Sequence, residues 1–74
     1  MANGFIHTVH KDDEWVNEVE GGDEFGGGHA TKEEAVAAGK ARAQQDRTEH
    51  VIHNLDGTIG ERSSYGNDPA DRPD

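Results

Sequence analysis

Five histidines are the residues of this chain best suited to hold a metal ion, since imidazole nitrogen is a common zinc ligand. They are His7, His10, His29, His50 and His53. A structural zinc site needs four converging ligands, and residues three apart on a strand point to opposite faces, so neither His7 with His10 nor His50 with His53 can chelate alone. Pairing between the first and third predicted strands would bring His7 or His10 near His53, which gives two ligands. The sequence therefore predicts no complete metal site.

Residues 54–59, NLDGTI, resemble the middle of a calcium-binding EF-hand loop. The matching positions of that loop, the third, fifth, sixth and eighth, are Asn54, Asp56, Gly57 and Ile59. Its first and twelfth positions need acidic ligands and fall on Ile52 and Ser63, so the calcium interpretation fails. Asp-Gly between two strand-like runs instead predicts a β-hairpin, because both central residues of that turn must accept a positive φ.

Other catalytic or ligand-binding patterns are incomplete. Gly26–Gly28 precede a predicted helix but lack the fixed spacing and the preceding buried strand of a phosphate-binding loop. Ser63 and Ser64 lie near Tyr65 without the context of a nucleophile elbow or a catalytic triad. A chain of 74 residues also has little room for a deep, dry pocket. We predict that the protein is not an enzyme and uses no cofactor.

Charge and composition restrict the classes of partner and the compartment. The chain carries 16 acidic and 7 basic residues, for a net charge of −9, and it has no cysteine. Because phosphate contacts dominate nucleic-acid affinity, we expect neither nucleic acid nor an anionic membrane as a partner. The N-terminal residues lack a signal-peptide pattern, and no stretch approaches the roughly 18 apolar residues of a membrane span. We therefore expect a cytoplasmic protein.

Alternating runs and one helical run predict the elements. Residues 4–11 and 14–20 read as two strands joined by a short polar turn, and residues 48–54 and 58–64 as a second hairpin. Residues 21–30 hold five of the ten glycines and predict a flexible loop with at most a short strand around Phe25.

The run at residues 31–46 predicts a helix. Thr31 is the expected N-cap, and Glu34 completes a capping box three residues later. The helix interior is rich in alanine, the best helix former. Its predicted inner face is small, and Gly39 on that face allows a close approach to a sheet.

The segment VIHNLDGTIGERSSYGNDP, residues 51–69, follows the tryptophan hairpin DDEWVNEVEG and the helix start TKEEAVAAGKARA. With these three segments, the chain resembles the uncharacterised bacterial family called domain of unknown function 2188 over about residues 5–69. The glycine-rich EGGDEFGGGHA departs from the more basic or serine-containing link expected in that family. The resemblance supports the fold and implies no catalytic residues, since the family has no established activity.

These elements predict an α+β fold of ββαββ order: an antiparallel sheet of two hairpins with one helix packed on one face. We predict one domain over residues 1–69 and a disordered tail at 70–74. The residues expected in the core are Phe5, Val9, Trp15, Val19, Val36, Ala43, Val51, Ile52 and Ile59.

The expected function is a small non-enzymatic protein that acts through protein–protein contacts, including a homodimer. One helix covers one face of a sheet, which would leave Ile6, Val16 and Ile52 as an apolar self-association surface on the other. In a competing interpretation the glycine-rich loop covers that face, with Phe25 as its plug. A nucleic-acid-associated module and a histidine metal-binding protein are the alternative functions.

Overall fold

A computed structural model describes residues 4–65 and shows five strands and one helix in that range. They are β1 (Ile6–Lys11), β2 (Glu14–Val19), β3 (Glu24–His29), α1 (Lys32–Asp46), β4 (Glu49–His53) and β5 (Ile59–Ser64). The strands form one sheet in the order β3-β2-β1-β4-β5. The α+β class with one helix is confirmed, whereas the predicted tail at 70–74 lies outside the described residues. The described helix is not long and apolar enough to cross a membrane.

The prediction of a purely antiparallel ββαββ sheet is wrong, because the central strands β1 and β4 are parallel. The remaining neighbours, β1 with β2, β2 with β3 and β4 with β5, are antiparallel. The additional strand β3 explains the difference. It runs in the same direction as β1, so the chain that returns through α1 enters β4 with the direction of β1. Two strands before the helix would have given an antiparallel centre.

The sequence predicts a flexible loop at residues 21–30 with at most a short strand around Phe25, whereas the structure has the six-residue strand β3 there. Its pairing with β2 shifts between Trp15 and Asn17, which lie opposite His29 and Phe25. The extra residues of this bulge include Gly26 and Gly27, whose φ angles of 76° and 73° favour glycine. The bulge therefore interrupts the two-residue period that predicts a strand.

α1 begins and ends at local capping signals. The Thr31 hydroxyl accepts a hydrogen bond from the Glu34 amide at 3.2 Å, which confirms the predicted N-cap. Arg47 adopts the left-handed conformation at the C-cap, and its amide donates to the carbonyl oxygens of Ala43 and Gln44. The buried residues Ala35, Gly39 and Ala43 are four apart, so they form the small inner face that the sequence predicts.

Three buried polar side chains fill the space between Gly39 and the sheet. Asn17 Nδ2 donates to the Ala35 carbonyl oxygen at 2.9 Å, and Thr8 Oγ1 donates to Asn17 Oδ1 at 2.5 Å. His50 Nε2 lies 2.7 Å from the same hydroxyl. Since Thr8 gives its only hydroxyl proton to Asn17, the His50 ring must donate through Nε2. These three hydrogen bonds join β4, β1, β2 and α1.

The core differs from the predicted one on β1. Trp15, Ala43, Val51 and Ile52 are buried as predicted, but Phe5 and Ile59 are 36% and 54% exposed. Val9, Val19 and Val36 are half-buried. Ile6, Val16 and Ala35 are buried instead, at 0%, 3% and 0% exposure. On β1 the helix covers the face of Ile6 and Thr8, and not the face of Phe5 and Val9 that the sequence predicts to be buried.

Replacing Gly39 by alanine is expected to destabilise the fold. The new Cβ would lie 2.5 Å from Asn17 Oδ1 and 2.6 Å from His50 Nε2, which forces the buried hydrogen bonds apart. We expect the free energy of unfolding to fall by about 1–3 kcal/mol, as in other overpacked cores. Urea denaturation followed by circular dichroism measures the change.

Lys40→Ala, at the exposed neighbouring position, is the matched control and should stay within about 0.5 kcal/mol of the wild type. Alanine is the better helix former by about 1 kcal/mol, so a Gly39→Ala protein more stable than the wild type would show that the helix does not need this close approach.

Acidification is expected to weaken the fold through His50. Burial lowers the pKa of this ring below its usual 6.5. The unfolded chain therefore binds a proton near pH 6.5 that the folded chain does not, and the free energy of unfolding falls as the pH drops from 6.5 to the folded pKa. The contribution is at most about 1.4 kcal/mol per pH unit.

Urea denaturation between pH 8 and pH 5 measures this slope, which His50→Gln should reduce. An NMR titration of the histidine rings in the folded protein separates His50 from the other four. A midpoint for His50 at or above 6.5 would contradict the prediction.

Candidate functional site

The sheet face opposite α1, here called the open face, carries the candidate site. Strand alternation and pairing register place its side chains, which are His7, Val9, Lys11, Val16, Glu18, Val51, His53, Ile59 and Arg62. Val16 and Val51 are each 3% exposed, and charged or polar side chains surround them. The open face therefore combines a small apolar centre with titratable groups.

Two imidazoles meet on the open face. His7 Nδ1 lies 2.9 Å from His53 Nε2, and the ring centroids are 5.2 Å apart. The parallel register of β1 and β4 causes this approach, because His7 lies opposite Val51 and His53 follows two residues later on the same face. The approach of His7 to His53 is therefore confirmed. His10 lies on the helix side, where its ring packs on Trp15 with centroids 4.9 Å apart.

The outer nitrogens of this imidazole pair also have partners. His7 Nε2 is 2.9 Å from Glu20 Oε1, and His53 Nδ1 is 3.4 Å from the Gly57 carbonyl oxygen. A carboxylate and a carbonyl only accept hydrogen bonds, so the Glu20 contact places a hydrogen on His7 Nε2, and the longer Gly57 contact favours one on His53 Nδ1. The inner nitrogens, Nδ1 of His7 and Nε2 of His53, face each other, and a hydrogen on His53 Nε2 would join them by a hydrogen bond.

The nearby charges on the open face are held in ion pairs. Lys11 Nζ lies 2.8 Å from Glu24 and 3.1 Å from Glu18, and these hydrogen bonds raise the pKa of Lys11 above its usual value. Arg62 pairs with Glu49.

The hairpin interpretation of NLDGTI agrees with the structure. Asp56 Oδ1 accepts hydrogen bonds from the Thr58 hydroxyl at 2.7 Å and from the Thr58 amide at 3.0 Å. These bonds lower the pKa of Asp56. The predicted two-residue turn is wrong in its register, however. The Gly57 amide donates to the Asn54 carbonyl oxygen at 2.9 Å, which makes Leu55 and Asp56 the central residues, and Gly57 has a positive φ of 93° whereas Asp56 does not. The turn also presents the Gly57 carbonyl to His53, so this sequence signal positions part of the candidate site.

The predicted self-association surface is wrong in its residues. Ile6 and Ile52 lie beneath α1 at 0% and 6% exposure, and Val16 lies on the open face at 3% exposure. Ile6 and Ile52 share the strand side of Thr8 and His50, which the helix covers. The glycine-rich segment does not plug the open face either, since the Phe25 ring packs beneath Arg42 of the helix at 4.7 Å. Whether the chain dimerises stays a prediction.

The other candidate groups do not form a site among residues 4–65. His29 Nε2 is buried without a hydrogen-bond partner there. Gly26–Gly28 belong to the bulge of β3, and Ser63 and Ser64 to β5. Within the same range there is no pocket and no group of three or more potential metal ligands.

Glu20 is the site residue that sequence reasoning missed. It follows β2 directly, and its amide donates to the Phe5 carbonyl oxygen at 2.7 Å. A signal for it exists in the first hairpin, where His7 lies opposite Glu18. Glu20 lies two residues beyond Glu18, so it is on the same face as His7 and diagonally opposite it across the strand pair.

Comparison with known proteins gives a family for the chain. No curated protein and no solved structure matches it. The sequence profile of a bacterial family matches residues 6–65, a range that includes both imidazoles, Glu20 and the hairpin turn. The chain therefore belongs to the family described as uncharacterized protein conserved in bacteria, DUF2188.

Proposed function

We propose that the chain is a small, non-enzymatic cytoplasmic protein that acts through protein–protein contacts, with self-association among them. The observation that carries this proposal is the exposure of two large apolar side chains on the second hairpin. Leu55 is 69% exposed and Ile59 is 54% exposed. Burying an apolar side chain of this size contributes roughly 1.5–3 kcal/mol, so these two residues are suitable anchors for a partner.

The neighbouring backbone supports contact at the same place. β5 lies at one end of the strand order of the described sheet. A terminal strand has outward-facing amide and carbonyl groups that can pair with a strand of another chain. Ile59 is the first residue of β5, so an added strand and an apolar contact would meet at one edge.

The net charge of −9 favours a partner with a basic surface and opposes contact between two copies at low ionic strength. Added salt screens this repulsion, so self-association should strengthen as salt increases. Binding to a basic partner should weaken under the same change. The absence of cysteine from the sequence is compatible with a reducing compartment.

Ile59→Glu is expected to abolish partner binding, because it places a charge where an apolar side chain would be buried. Gln45→Glu is the matched control, since it introduces the same residue at an exposed position of α1. Sedimentation equilibrium at micromolar concentration and two salt concentrations measures self-association. Affinity capture from a native bacterial lysate measures binding to other proteins.

Loss of association or capture in Ile59→Glu, but not in Gln45→Glu, would support the proposed surface. A wild-type mass of 8.0 kDa at every concentration, together with no protein captured above the level of the Ile59→Glu variant, would contradict the proposal.

A further inference from the structure

The inner nitrogens of the imidazole pair, His7 Nδ1 and His53 Nε2, lie 2.9 Å apart and face each other. Glu20 accepts a hydrogen bond from the outer nitrogen of His7 at 2.9 Å, and the Gly57 carbonyl oxygen lies 3.4 Å from the outer nitrogen of His53. When both outer nitrogens carry the ring hydrogens, both inner nitrogens present lone pairs. In that tautomer, one metal ion can bind both rings at once.

We propose that His7 Nδ1 and His53 Nε2 chelate one divalent transition-metal ion of the copper or nickel class. This site goes beyond the proposed protein–protein function and uses different side chains. The two ligands come from adjacent parallel strands, so the central pairing of the sheet fixes their separation. Strand-borne ligands are held more precisely than ligands on loops.

The separation of the nitrogens is closer to one coordination geometry than to another. Bonds from a metal to imidazole nitrogen are about 2.0–2.1 Å long. Two such bonds to nitrogens 2.9 Å apart enclose an angle of about 90°. A tetrahedral zinc ion would need the nitrogens about 3.3–3.4 Å apart. Square-planar and tetragonal coordination, which Cu²⁺ and Ni²⁺ prefer, places neighbouring ligands at right angles, and Cu²⁺ binds most tightly among the divalent ions of the first row.

The outer partners match those of metal-binding histidines. Such a histidine usually donates its other ring hydrogen to a carboxylate or a backbone carbonyl, which fixes the ring and makes the ligating nitrogen more basic. Glu20 does this for His7 at 2.9 Å, and the Gly57 carbonyl does it for His53 at 3.4 Å. Both rings therefore have the support expected of ligands.

Solvent reaches both rings. The His7 side chain is 22% exposed, and His53 is half-buried. Water would complete the coordination, since residues 4–65 contain no cluster of three or more potential ligands. A two-nitrogen site with open positions binds less tightly than a four-ligand structural site, and its occupancy follows the free metal concentration.

Isothermal titration calorimetry of the metal-free full chain with CuCl₂, and separately with NiCl₂, tests the proposal. We expect one ion per chain and tighter binding of Cu²⁺ than of Ni²⁺. His7→Gln and His53→Gln should each weaken Cu²⁺ binding at least tenfold. Glu20→Gln should weaken it about tenfold, because only the outer support of His7 is changed. His10→Gln is the matched control and should leave the affinity unchanged.

A spectroscopic measurement on the unmutated chain keeps the test valid if a variant fails to fold. Electron paramagnetic resonance of the Cu²⁺ complex should show coupling to two imidazole nitrogens. Paramagnetic broadening in NMR spectra should be strongest at the rings of His7 and His53. Broadening centred on other residues, or a Cu²⁺ affinity that neither His7→Gln nor His53→Gln reduces, would overturn the proposal.

Discussion

The hydrogen-bond chain from His50 through Thr8 and Asn17 to the Ala35 carbonyl fixes how the elements of this protein fit together. It crosses three neighbouring strands and ends on the helix. Apolar side chains tolerate a small shift, whereas a buried donor that loses its acceptor is costly. These hydrogen bonds can form together only if β1 has its observed register with both β2 and β4, and only if Gly39 leaves room for the three side chains. The helix therefore packs against one arrangement of the sheet.

The same register determines the open face. His7 follows Ile6 on β1, and Ile6 lies opposite His50, so strand alternation places His7 on the other side of the sheet from His50 and on the same side as His53. His50 becomes a dry, neutral ring beneath the helix, while His53 and His7 meet on the solvent side. Strand position therefore decides that His50 is buried and that His7 and His53 lie on the solvent side. The valines at the centre of the open face stabilise it more than its surface ion pairs do, since exposed pairs contribute little.

Local signals predict the parts of this fold that depend on neighbouring residues. The Thr31 cap, the small inner face of α1, four of the strands and the second hairpin all follow from spacing and residue type. Alternation of apolar and polar residues shows that a strand has two faces but not which face a helix will cover. For this reason the sequence predicts an exposed Ile6, which the structure buries. β3 escaped prediction because its pairing depends on a glycine bulge. The meeting of His7 and His53 was predictable from strand pairing, whereas Glu20 required the register of the first hairpin.

The parallel pair at the centre of the sheet also governs the order in which the chain can fold. Thr8 and His50 are 42 residues apart, whereas the turns of the hairpins join strands that are close in sequence. Hairpins and helices form within microseconds, but contacts between distant residues must wait for the closure of a long loop. The hairpins and α1 can therefore form early without the core between them. The contact of His7 with His53 depends on this long-range pairing, so the distance between these rings reports the parallel centre of the sheet rather than the presence of secondary structure.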